Sequence, residues 1–214
     1  MDPKLGILLT ILGVFVAVIV MVQRANRPQN APRPATPSLD EQLALLDRAG
    51  LPLSPGVTRN DLTDFGPAET YEGDPWRLLL MTFGLSIDRP PHLPYCPRAH
   101  LIRTDDLETP EEYARQIAHL ARVADVPCTT DTARGLTATL AGQRLDLSLN
   151  PKAGFADADA MEQVLDALRS ALPPDEGLYF LDTHPQVIVL RLSRQGFELI
   201  DTRAPGLLRS DWPG

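Results

Sequence analysis

The chain has 214 residues, 43% of them hydrophobic and 22% charged, a folded-protein composition that fits neither a disordered chain nor a multi-span membrane protein. Its formal charge is −8, yet residues 1–37 hold Lys4, Arg24, Arg27 and Arg33 against Asp2 alone, so the acidity belongs to the remainder. An acidic body argues against nucleic acid as a partner, because displacing phosphate counterions takes clustered Lys and Arg, whereas a basic protein partner fits it.

Leu5 to Val22 is an uninterrupted run of 18 residues without a charge. As a helix it spans about 27 Å, close to the ~30 Å hydrocarbon core of a bilayer. Residues 1–22 therefore read as an N-terminal transmembrane anchor. The run exceeds the ~7–15 residue apolar stretch of a cleaved signal, and Gln23-Arg24-Ala25-Asn26-Arg27 offers no small-x-small cleavage site. Arg24, Arg27 and Arg33 follow the run, so the positive-inside rule puts the C-terminal side in the cytoplasm. A periplasmic or extracellular domain behind an uncleaved signal-anchor is the open alternative. Residues 23–37 carry Pro28, Pro32, Pro34 and Pro37 and no large apolar side chain, which predicts a polyproline II tether rising about 3.1 Å per residue.

Residues 38–214 read as one globular domain. Ser38-Leu39-Asp40-Glu41 is a capping box, and Leu39, Leu43 and Leu46 follow at helical spacing up to Gly50. A second short helix is expected from Thr58 to Gly66. Asp74-Pro75 has the form of a helix cap with proline at the first position, leading through Trp76 and Leu78–Phe83 to Gly84. A buried strand is the rival reading of that apolar run. Residues 88–98 hold Pro90, Pro91, Pro94 and Pro97 and read as loop, followed by a strand over Ala99–Arg103. Thr109-Pro110-Glu111-Glu112 starts a helix to about Ala124, with Tyr113, Ile117, Leu120 and Ala124 on one face. Alternating Leu136, Ala138 and Leu140, then Leu145, Leu147 and Leu149, predict a hairpin turning at Ala141-Gly142-Gln143. Asp157 caps a further helix that buries Met161, Val164, Leu165 and Leu168 and stops at Pro173-Pro174. Three strands are expected at the end: Leu178–Leu181, Val187–Leu192 and Phe197–Ile200.

From Ala99 the expected order is β-α-β-β-α-β-β-β, whose first six elements match the split βαβ pattern of ferredoxin-like folds. The expected class is thus α+β, a mostly antiparallel sheet with helices on one face and a ferredoxin-like core, preceded by one transmembrane helix.

Gly56-Val57-Thr58-Arg59-Asn60-Asp61-Leu62 and Tyr71-Glu72-Gly73-Asp74-Pro75-Trp76-Arg77-Leu78-Leu79-Leu80 resemble the opening of certain uncharacterised bacterial α+β domains. The similarity continues through the Thr109–Ala124 helix and the Gln143–Leu149 strand to Leu192. The resemblance implies a bacterial domain of unknown function over residues 38–192 and carries no activity with it.

Chemistry-bearing groups are sparse. Asp182 and His184 stand two apart between predicted strands, where a carboxylate orienting an imidazole would make an acid–base pair, and where Asp and Pro185 equally well make a turn. His92, Cys96 and His100 are spaced four apart, but a structural zinc site needs a fourth ligand and no second Cys/His pair is close in sequence. Asp105-Asp106 and Glu111-Glu112 flank a helix start, where carboxylates offset the positive N-terminus; divalent-metal binding is the alternative. Cys96 and Cys128 form either one disulfide or two thiols. No metal or organic cofactor is expected. The expected role is a single-pass membrane-anchored protein-interaction module, of an immunity type that masks a basic toxin or a scaffold for an envelope assembly. The alternative is a tethered hydrolase working through Asp182 and His184 or through the acidic cluster at Asp105-Asp106 and Glu111-Glu112.

Overall fold

The computed structural model describes residues 36–150 and 156–213, of which those from Pro37 onward pack as one compact unit. The expected span Leu5–Val22 and nearly all of the tether lie outside the described residues. Among the described residues no helix is long and apolar enough to cross a membrane.

Four helices open the domain. Helix α1 (Leu39–Arg48) starts at the expected capping box: the Glu41 amide donates to Ser38 Oγ at 3.3 Å, and the Ser38 amide donates to Glu41 Oε2 at 2.8 Å. Helix α2 (Arg59–Phe65) starts likewise, with Asp61 Oδ2 accepting from the Thr58 amide at 2.7 Å. Helix α3 (Ala68–Gly73) is unheralded in the sequence and ends at Asp74. The expected helix start at Asp74-Pro75 is therefore displaced, and α4 (Arg77–Phe83) begins after Trp76, whose φ is +71°. Buried Gln42 holds this reversal. Its Oε1 accepts from the Trp76 amide at 3.0 Å, and its Nε2 donates to the carbonyls of Pro37 and Tyr71, both at 3.0 Å. One α1 side chain thus satisfies backbone groups that would otherwise be buried without partners.

The apolar run at Leu78–Phe83 is helix, not strand. Strand β1 (Ala99–Arg103) follows the proline-rich loop and leads through a 3₁₀ turn at Thr104–Asp106 to α5 (Pro110–Ala124). Helix α5 begins at the Thr109/Glu112 capping box and ends at Asp125 in the left-handed region, φ +57°. Then come β2 (Cys128–Asp131), β3 (Leu136–Leu140), β4 (Gln143–Leu147) and α6 (Ala158–Ala171), the last capped by Asp157 Oδ1 accepting from the Ala160 amide at 2.9 Å. Strands β5 (Glu176–Asp182) and β6 (Gln186–Ser193) and helix α7 (Arg194–Asp201) complete the fold.

The class is α+β, as expected, but the strands form two antiparallel three-stranded sheets, ordered β1-β6-β5 and β2-β3-β4. The single ferredoxin-like sheet is not what forms. The β3–β4 hairpin turns at Ala141 and Gly142, both at positive φ (49° and 85°), and pairs Leu140 with Gln143. That turn twists with the strands it joins. The hairpin then recruits Cys128–Asp131 as its third strand, Cys128 opposite Leu140, instead of joining the central sheet.

Helices do not cover one face alone. Alternate side chains of a strand point to opposite faces, and β6 is buried on both. Ile188, Leu190 and Leu192 enter a core built with α1, α4 and α7, whereas Val187 and Val189 enter a second core built with α5, α6 and the β2-β3-β4 sheet. The expected final strand at Phe197–Ile200 is instead α7, started by Ser193 Oγ, which accepts from the Gly196 amide at 3.0 Å. Both edges of the central sheet are covered: Phe180 and Arg209 exchange backbone bonds of 2.8 and 2.9 Å, and the Leu101 amide donates to the Gly84 carbonyl at 2.9 Å.

Candidate functional site

Asp182 ends β5, and Asp182 Oδ1 accepts from the His184 backbone amide at 3.1 Å, the geometry of an Asx turn. The structure thus joins these two residues through the His184 backbone amide. His92, Cys96 and His100 are separated. Cys96 is buried in the first core, His92 is exposed with Nδ1 3.3 Å from the Ile87 carbonyl, and His100 on β1 turns toward α5. Among the described residues no group of three or more His, Cys, Asp and Glu is placed to hold a metal ion.

The acidic residues near the start of α5 have local duties. Glu112 Oε2 accepts from the Thr109 and Glu108 amides at 2.9 and 3.0 Å, bonds that hold its carboxyl below the ordinary range. Arg103 lies 2.9 Å from Asp106 and 3.6 Å from Asp105. Both cysteines are free thiols, Cys96 buried and Cys128 half-buried. Burial pushes the Cys96 thiol up to about 12 and also raises that of half-buried Cys128, so neither supplies thiolate at neutral pH.

The cluster with the most unspent chemistry escaped the sequence reading. A cleft of about 250 Å³ opens between β1 and the second half of α5, walled by the loops at Gly84–Ser86 and around Pro94 and Pro97. Its lining combines the apolar residues Leu85, Leu101 and Val123 with the polar residues His100, His119 and Arg122. The two imidazoles stack with centroids 4.5 Å apart and planes inclined by 17°. Gln116 Oε1 lies 2.6 Å from His100 Nε2, so this nitrogen carries the proton of the neutral ring. Arg122 Nη2 donates to His119 Nδ1, which leaves the proton of neutral His119 on Nε2.

Burial is the main cause that makes both imidazoles harder to protonate. It brings His100 down to about 4, with the His119 and Arg122 charges adding to it, and lowers His119 together with Arg122 and Arg115. Both rings are therefore neutral at pH 7, and the charge of the cleft is that of Arg122. Among the described residues no carboxylate lies within ion-pair distance of Arg122. Gln116, His119 and Arg122 share a face of α5 at helical spacing, but a sequence alone does not say that β1 brings His100 against that face.

His100 makes stability depend on pH in a definite direction. Its folded pKa of about 4 lies below the ordinary 6.5, so the unfolded chain binds the extra proton. The contribution is complete above pH 6.5 and is lost as pH falls toward 4. Between pH 7 and pH 5 this group is expected to cost about 2 kcal/mol. Urea unfolding of the wild type and of His100→Gln at both pH values checks it: the variant should lose less stability across the interval.

Comparison of the chain with protein-family models, with curated proteins and with solved structures returns no match. Fold class and site chemistry are accordingly read from this molecule's own residues.

Proposed function

We propose that the chain is a single-pass membrane-anchored protein-interaction module: residues 1–22 hold it in the membrane, residues 23–37 space it away, and the α+β domain binds. The observation that carries this reading is the charge-free run Leu5–Val22 followed directly by Arg24, Arg27 and a four-proline tether. The arginines favour the domain on the cytoplasmic side. Tethering raises the domain's effective concentration at membrane partners without any new contact. Acidity outside residues 1–37 favours a basic protein partner, with masking of a toxin or scaffolding of an envelope assembly as the two roles of that shape. Supporting binding over hydrolysis, the Asp182 carboxylate is engaged by a backbone amide and the Cys96 thiol is sealed in the core.

Cross-linking and affinity capture of the tagged full-length chain from native membranes tests the reading. A reproducible basic partner is expected, weakened between 0.1 and 1 M salt as the Debye length shrinks from about 10 to about 3 Å. Absence of any partner above an untagged control, or hydrolytic activity that disappears with His184→Ala, would overturn it.

A further inference from the structure

We propose that the cleft between β1 and α5 is a binding site for a carboxylate carrying a short apolar tail, with Arg122 and His119 taking the carboxylate and Leu85, Leu101 and Val123 taking the tail. The proposal rests on reading the domain as a binding module and gives that module a ligand chemistry.

Four observations converge. The Arg122 guanidinium stands at the cleft, exposed, with one donor spent on His119 Nδ1 and no ion pair among the described residues. A guanidinium presents parallel N–H groups in the spacing of a carboxylate's two oxygens. The contact with Arg122 also sets the His119 tautomer, so that Nε2–H is a second donor. Position in the last turn of α5 accounts for a cation there, through the helix dipole, but not for its bond to a stacked imidazole over a cleft. The apolar part of the lining matches a hydrocarbon tail, which a bare inorganic anion lacks. The volume, about 250 Å³, is below the ~300–1,000 Å³ of pockets for drug-sized ligands, which points to a small acid or the last residue of a chain.

Charge narrows the class further. Among the described residues lining the cleft the titratable and charged ones are His100, His119 and Arg122, with Arg115 farther along α5, and both imidazoles are neutral at pH 7. One guanidinium facing the ligand balances a monoanion. A phosphate dianion would ask for more positive charge than these groups hold. The carboxylate has two chemical sources: a free short-chain carboxylic acid, or the C-terminal carboxylate of a peptide ending in an apolar residue.

The test is a titration of the full chain in detergent micelles, followed by the ring C–H resonances of its four histidines. The probes are isovalerate, a tripeptide ending in leucine, the same tripeptide amidated at its C-terminus, and inorganic phosphate. Saturable shifts of His119 and His100, with affinity at least tenfold weaker in Arg122→Gln and unchanged in Arg134→Gln, are the expected result. Arg122 is exposed and in no ion pair among the described residues, so its replacement should leave the far-UV circular dichroism unaltered. Binding of isovalerate alone assigns a free acid. Tighter binding of the tripeptide, abolished by amidation, assigns a chain end. No saturable shift with either carboxylate, equal affinity in Arg122→Gln, or tighter binding of phosphate would overturn the proposal. A cleft that titrates as expected in a chain that captures no membrane partner would overturn the module reading and leave the carboxylate site standing.

Discussion

Gly196→Ala is expected to destabilise the domain by about 3 kcal/mol or more, at the upper end of what an added methyl does in a packed interior. A Cβ at Gly196 would stand 2.1 Å from the Ala49 carbonyl oxygen and 3.0 Å from its carbonyl carbon, and the obstacle is backbone at the end of α1, not a side chain that swings away. To admit it, α7 must lift from α1 and draw Ile200 out of the first core. Helix propensity alone predicts the opposite sign, since Ala in a helix is favoured over Gly by about 1 kcal/mol. A urea midpoint that falls steeply confirms the close approach; one that stays or rises would show that α7 does not sit against Ala49.

Glu176→Gln is expected to cost about 3 kcal/mol, the lower end of the range for leaving one partner of a buried ion pair uncompensated, because this pair is largely but not fully buried. Arg191 Nη2 and Nε lie 2.5 and 2.6 Å from Glu176 Oε2, and Arg98 Nη1 lies 2.9 Å from Oε1. The Arg191 and Glu176 side chains are only 11% and 12% exposed, so solvent does not rescue the survivor. Arg191 also donates to the Ala124 carbonyl at 2.8 Å, which ties β6 to the end of α5. Burial works against the Glu176 charge, but Arg191 and Arg98 outweigh it and hold the carboxyl below its ordinary range. Its contribution is therefore present above the unfolded pKa and lost as pH falls. The double variant Glu176→Leu, Arg191→Met removes both charges and should recover much of the loss, because well-packed apolar replacements of buried pairs are often neutral. Chemical denaturation of the three proteins decides it: a Glu176→Gln loss below about 1 kcal/mol would place the pair with ordinary surface bridges.

Where the sequence reading succeeded, the signal was local and chemical. Ser38 with Glu41, Thr109 with Glu112, and Asp157 each announce a helix start through bonds that close within four residues, and all three form. The Ala141-Gly142 turn is legible for the same reason. Failure came where a distant residue decides. Nothing in Cys128-Thr129-Thr130-Asp131 alternates, because that strand is nearly all exposed and is recruited by the edge of β3. Phe197–Ile200 is too short an apolar run for its period to show, and the Ser193 cap on the Gly196 amide tips it to helix. Trp76 takes its positive φ because Gln42, 34 residues earlier, accepts from its amide. The site divides in the same way. Asp182 and His184 are neighbours in the sequence and share an Asx turn, whereas His100 and His119 become a pair only when β1 lies beside α5.

Membrane anchoring through Leu5–Val22 is the central claim, and alkaline extraction of membranes from cells expressing the full chain tests it most directly. Retention in the membrane pellet is the predicted result, with release into the supernatant when Leu12 and Val16 are both replaced by Arg, since each charge at a span's centre costs about 2.5–3.5 kcal/mol of insertion free energy. Release of the unaltered full chain at alkaline pH would contradict the anchor and, with it, the tethered-module reading.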